Sequence, residues 1–233
     1  MTSSYKELLS NTLPQVYDRI GEAISASGRE SDSVRLVAVT KGHSLDAVSA
    51  ALDLGLTDLG ENRVEELEKK VDEFGRDLPT WHMIGHLQSR KVRRASEVAH
   101  LIQSVDSMKL GTRISRFAQE SGFVVRTLAQ VNASGESSKS GFNPASAVDD
   151  ILCLSELSGI RVDGLMTMAS FGANDKNLTS TFRFLRAIHR QLQDQGDMVG
   201  PELSMGMTND FEIAIREGST MVRVGTALFG ART

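Results

Sequence analysis

One lysine and two glycine–threonine turns carry the most specific chemistry in this sequence. Lys41 closes the apolar run Arg35-Leu36-Val37-Ala38-Val39-Thr40. A lysine at the end of a buried strand holds its amine where desolvation disfavours the charged form. A neutral amine attacks carbonyl carbon and forms Schiff bases. A lysine that lays its stem along the strand end and lifts its ammonium into water would have the same local sequence. The turns lie in Ser204-Met205-Gly206-Met207-Thr208 and in Arg223-Val224-Gly225-Thr226. Gly206 and Gly225 let a backbone approach an anion closely. Thr208 and Thr226 each add a hydroxyl and an N–H, and Thr208 stands where it could open the next helix. Ordinary turn and capping chemistry draws on the same residues.

These groups can meet only if the intervening chain folds them together. Short apolar, β-rich runs fall at 35–40, 57–59, 81–84, 101–104, 124–131, 161–166, 202–204 and 221–224. Helix-like stretches lie between them at 45–54, 63–74, 89–99, 108–121, 145–158, 178–195 and 210–217. An amphipathic segment at 4–27, with Leu8, Val16, Ile20, Ala23 and Ile24 at helical spacing, precedes the first run. Alternation of this kind implies a parallel sheet, and eight units in about 200 residues imply closure. The expected fold is α/β: one (β/α)8 barrel of TIM type with an extra N-terminal helix, a single domain over 1–233. A doubly wound open sheet is the alternative. Barrels gather function at the C-terminal strand ends, and phosphate sites form after strands seven and eight. That places Lys41 after the first strand and Asn62 after the second. The two glycine–threonine turns follow the seventh and eighth.

Composition narrows the function classes. Hydrophobic residues make up 40% and charged residues 24%, which fits a globular chain. A net charge of −4 argues against a dedicated nucleic-acid binder. The basic run Lys91-Val92-Arg93-Arg94 reads as a solvated helix face or as a phosphate-steering patch. Cys153 is the single cysteine, so no internal disulfide framework exists and a reducing cytoplasm is expected. Its apolar neighbours predict a buried thiol. No signal-peptide pattern opens the chain, and no apolar run approaches a membrane span.

A strand-end lysine facing a phosphate cup describes a pyridoxal 5′-phosphate (PLP) site better than either feature alone. At this point the chain resembles the pyridoxal phosphate homeostasis proteins, a family similar to the barrel domain of alanine racemase. The resemblance covers nearly the whole chain. It is carried by Val37 to Lys41, Leu59-Gly60-Glu61-Asn62-Arg63-Val64-Glu65-Glu66, Trp81 to Lys91, Val131-Asn132, and Lys139-Ser140-Gly141-Phe142. Gly164 to Met168, Leu203 to Thr208, and Gly218 to Arg232 complete it. The resemblance implies that PLP is held covalently, as an aldimine on Lys41. It implies that Thr208, Gly225 and Thr226 hold the phosphate, with Gly206 in the same turn. Arg223 should approach the pyridine nitrogen, Asn62 and Met205 the ring region, with His82 and Ser204 close by. Two departures affect the rim: Gly42-His43-Ser44 follows the lysine, and Arg63 stands where a tyrosine is usual.

The same resemblance separates a carrier from an enzyme. A racemase needs acid–base groups on both faces of the cofactor. In alanine racemase the second is a tyrosine from another domain, and this sequence ends at Thr233 soon after the eighth strand. Its two tyrosines, Tyr5 and Tyr17, fall in the opening helix, expected far from the mouth. A guanidinium does not surrender its proton, so Arg223 would leave the pyridine nitrogen unprotonated and the ring a weaker electron sink. The expected role is a non-catalytic, monomeric PLP carrier that buffers the cofactor or delivers it to apoenzymes. A PLP enzyme with His82 or His86 as second base, and a phosphate-binding barrel without PLP, are the alternatives.

Overall fold

In the computed structural model, which describes residues 5–31, 33–136 and 139–231, eight parallel strands close on themselves. They are β1 (Arg35–Val39), β2 (Asp58–Glu61), β3 (Thr80–Met83), β4 (Leu101–Val105), β5 (Val125–Gln130), β6 (Ile160–Met166), β7 (Val199–Met207) and β8 (Met221–Val224). The barrel closes where β1 pairs in parallel with β8, Val37 opposite Arg223. The helices are α1 (Tyr5–Ala26), α2 (Leu45–Asp53), α3 (Val64–Phe74), α4 (Val92–Val98), α5 (Met108–Ser121), α6 (Ala147–Ser155), α7 (Asp175–Gln193), α8 (Phe211–Arg216) and α9 (Thr226–Phe229). The expected barrel with its leading helix is therefore the observed one. Ser4 and Arg232 of the sequence expectations lie outside the described residues.

Strand alternation sorts the core into two. Outward-facing residues such as Leu59, Met83, Met205 and Val222 meet the helices in one continuous apolar layer. Inside the barrel a small apolar cluster remains, formed by Val37, Leu101, Leu128, Met166 and Met221. Polar side chains complete the interior: His82, Gln103 and Ser204 are fully buried and Arg223 is 4% exposed. Buried polar groups on this scale need partners, and each has them.

Helix α1 lies outside the ring and packs on α2, α8 and α9. Arg19 fixes it to α8, with an ion pair to Glu212 and the guanidinium 4.4 Å over the Phe211 ring. At its N-terminal end Tyr5 hydroxyl bonds His43 Nδ1 at 3.1 Å and packs on Phe229. Tyr5 therefore stands beside the loop that carries Lys41, contrary to the expectation of a distant helix. The long-range docking of α1 brings it there. Cys153 is exposed rather than buried, because α6 turns Ile151 and Leu154 inward and leaves the intervening thiol outside. The basic run behaves as a solvated face: Lys91 and Arg94 pair with Glu65 and Glu68, and Arg93 with Glu97 and Glu120. Among the described residues, no helix is long and apolar enough to cross a membrane.

Candidate functional site

A cavity of about 510 Å³ opens at the C-terminal ends of the strands. Six of the sequence-expected residues line it: Lys41, Asn62, Thr208, Arg223, Gly225 and Thr226. His82, Ser204, Met205 and Gly206 do not.

Lys41 occupies the turn after β1 and is half-buried. The peptide before it is held from beneath by a buried ion pair. Lys70 of α3 reaches Glu61 Oε1 at 2.5 Å and also donates to the Thr40 carbonyl at 2.8 Å. The Thr40 hydroxyl donates to the same carboxylate oxygen at 2.5 Å. Glu61 is fully buried, and burial raises its carboxyl pKa despite the opposing Lys70 charge. On the other side of Lys41, the Gly42 N–H donates to Glu66 Oε2 at 2.9 Å. Both peptides that flank the lysine are thereby fixed by side chains of β2 and α3. Asn62, next along from Glu61, comes so close to Gly85 that a Cβ there would stand 2.2 Å from its carbonyl oxygen. Only glycine at 85 permits that approach.

Opposite lie the turns after β7 and β8. Gly206 has φ +96, and a Cβ on it would lie 2.6 Å from the Ala214 Cβ and 2.9 Å from the Phe211 Cα. Its task is to seat β7 on α8 rather than to face the cavity. The residue that precedes α8 is Asp210, not Thr208, because the turn runs two residues further than the sequence suggests. Thr208 instead joins the two turns: its Oγ1 accepts from the Ala227 N–H at 3.4 Å. Asp210 Oδ1 accepts the Met207 N–H at 2.5 Å, and burial raises its pKa.

Arg223 enters the cavity from within the barrel. It is a buried guanidinium, and burial pushes its pKa down to about 10 while Asp210 opposes the shift. It remains a cation at neutral pH. Met168, Ala169, Ser170, Phe171, Gly172 and Ala173, between β6 and α7, form the outer rim, with Phe171 fully exposed. The sequence marks Met168 only as the end of a family segment and Asp210 only as the start of a helical stretch; the rest of the rim, 169–173, shows no periodic pattern or motif. His86 lies outside the cavity, exposed and bonded to Asp106 at 3.0 Å. Among the described lining residues there is no tyrosine, histidine or cysteine.

The arrangement can accept an aldehyde-bearing phosphate ester. An amine stands at one strand end, hydroxyls and backbone stand at two others, and a buried cation lies between. Residues 18–233 match the sequence profile of the family described as alanine racemase, N-terminal domain. A pyridoxal phosphate homeostasis protein of Aquifex aeolicus is 37% identical over 221 residues, covering 94% of this chain and 96% of that one. PipY of Synechococcus elongatus, solved with PLP bound, superposes with a TM-score of 0.80 at 37% identity, over 91% of this chain and 100% of that one. Alanine racemase of Clostridium difficile shares the fold at a TM-score of 0.76 and 16% identity, over 96% of this chain but 57% of that one. The chain therefore belongs to the pyridoxal phosphate homeostasis protein family, built on the barrel of the alanine racemase N-terminal domain.

Proposed function

We propose that this chain binds PLP in the strand-end cavity, with Lys41 as its covalent anchor, and buffers or delivers the cofactor without turning over a substrate. The observation that carries this reading is the single cavity shared by Lys41 and the Thr208–Gly225–Thr226 cup, with Arg223 between them. The relatives' name and the PLP bound to PipY support it. When bound, PLP supplies an aldehyde for reversible capture by an amine and a ring whose electron demand depends on its nitrogen's partner.

The chain's own residues have separable tasks. Lys41 presents its amine from a backbone that Lys70 and Glu66 hold still. Thr208 and Thr226 would offer hydroxyls to the phosphate, and Gly225, where a Cβ would lie 3.2 Å from the Val39 carbonyl oxygen, lets the β8 turn close beside β1. Arg223, which lines the cavity, would meet the ring as a cation that cannot accept a proton at neutral pH. A carrier is favoured over a racemase because the alternative bases do not reach the cavity. His82 is sealed inside the barrel and His86 is engaged with Asp106 outside it. We place the protein as a monomeric, single-domain cytoplasmic carrier whose partners are PLP-dependent apoenzymes.

The test is covalent capture. Purified protein mixed with PLP is reduced with borohydride, digested with trypsin and mapped by mass spectrometry. A modified Lys41 blocks cleavage, so one phosphopyridoxylated peptide spanning 36–63 is expected, absent from Lys41→Ala. Adducts scattered over surface lysines, or none, would overturn the reading. Loss of an α-deuteron from added amino acids, dependent on Lys41, would convert the carrier into an enzyme.

A further inference from the structure

Arg223 is a buried guanidinium, and no carboxylate lies within ion-pair distance of it among the described residues. A charge in that position must be satisfied by hydrogen bonds. One terminal nitrogen donates to the Thr167 carbonyl at 2.9 Å. The other donates to Ser204 Oγ at 2.5 Å. The serine hydroxyl, having accepted, donates onward to Gln103 Oε1 at 2.6 Å. That fixes the amide, whose NH2 now faces His82 Nδ1 at 2.9 Å and Met221 Sδ at 3.1 Å. His82 Nδ1 must therefore be the acceptor and Nε2 must carry the proton, which points at Asp58 Oδ1 at 2.9 Å. Asp58 opens β2 at the opposite end of the barrel, 21% exposed, with Arg35 3.9 Å away.

Every donor in this chain points the same way, from the cation at the mouth to the carboxylate at the floor. Its members come from β8, β7, β4, β3 and β2, so it spans the barrel interior. Ser204, Gln103 and His82 are fully buried, which strengthens each link and makes any break costly.

We propose that Ser204, Gln103, His82 and Asp58 are positioning residues for Arg223. They lock the guanidinium in one orientation toward the cavity and couple the floor of the barrel to whatever occupies the mouth. This deepens the PLP reading, on which the coupling to an occupant rests. It also gives His82 and Ser204 a task that does not require them to touch the ligand.

The test is nuclear magnetic resonance on protein labelled with 15N-histidine, first without added PLP. The expected His82 tautomer carries its proton on Nε2. On addition of PLP the His82 ring nitrogens should shift, although the residue lies outside the cavity. In Ser204→Ala that shift should vanish while Lys41 is still captured by borohydride. The same variant should bind PLP roughly tenfold more weakly, the loss of one charge-assisted hydrogen bond, with an altered visible spectrum. Asp58→Asn, at the partly exposed end, keeps the shape of the chain and removes its charge, and should alter the spectrum in the same direction. A proton on His82 Nδ1 in the PLP-free protein would overturn the chain of donors. So would a PLP-induced His82 shift that survives in Ser204→Ala, or a spectrum and affinity unchanged in both variants. Failure of wild-type Lys41 to form an adduct would instead sink the PLP reading, and the tautomer would still decide whether the chain of donors exists.

Discussion

The two facing sides of the cavity are built on different physics. On the β1–β2 side, charge does the positioning: a buried Lys70–Glu61 pair grips the peptide that precedes Lys41. On the β7–β8 side, shape does it: Gly206 lets α8 close against β7, and the two turns meet through Thr208 and Ala227. Each side also contains a buried carboxylate whose pKa burial raises. Glu61 is paired with a lysine, whereas Asp210 is bonded to a backbone N–H. The difference follows from what each side must hold. A single reactive side chain needs its own backbone locked. An anion cup needs two loops brought to a fixed separation, and close packing supplies that without adding charge.

Breaking the charged side should have the largest effect. Lys70→Met leaves Glu61 buried without its partner and should cost about 3–5 kcal/mol in chemical denaturation. Adding Glu61→Gln should recover much of that loss, because the uncompensated charge is then gone. A single-variant cost below about 1 kcal/mol would remove charge as the organising element on that side. Breaking the shaped side comes next. Gly206→Ala forces a side chain into positive φ and against α8, and should cost about 2–4 kcal/mol. Thr208→Val removes the cup's hydroxyl together with the acceptor that joins the two turns: PLP affinity should fall by about tenfold in a spectroscopic titration, and stability by about 1 kcal/mol.

The smallest effect concerns pH. Asp210 has its folded pKa raised by burial above the ordinary 3.8. The folded state therefore holds that proton more tightly than the unfolded chain. The resulting stability is present below the unfolded value and is lost as pH rises through the folded one. Asp210→Asn escapes that loss and keeps an oxygen for the Met207 N–H. The melting temperature of this variant minus that of wild type should therefore increase as pH rises from about 4 toward neutrality. A difference that stays flat would mean Asp210 titrates as it does in the unfolded chain.

The barrel was legible because alternation of apolar runs and amphipathic stretches is a local signal, and β8 falls where the sequence places it. The sequence shows only 202–204 of the seventh strand, because Gly200 and Pro201 punctuate a pattern like a turn, whereas β7 runs Val199–Met207. The chain accommodates them in an irregular stretch of β7, where the register against β6 shifts between Val162 and Gly164. Lys41 and the Gly225–Thr226 turn were readable as strand-end chemistry. The inward pointing of His82, the rim at 168–173 and the return of Tyr5 to His43 were not. Each depends on which strands or helices become neighbours across the barrel, and no local spacing encodes that.

Cys153 has a practical consequence. It is the only thiol in the sequence, and it lies exposed on α6, which follows β5, the strand across the barrel from β1. Maleimide chemistry would therefore attach a dye or a surface tether at one defined point, on the flank away from Lys41. Molecules immobilised this way would share one orientation, leaving the mouth accessible for watching single cofactor arrivals and departures.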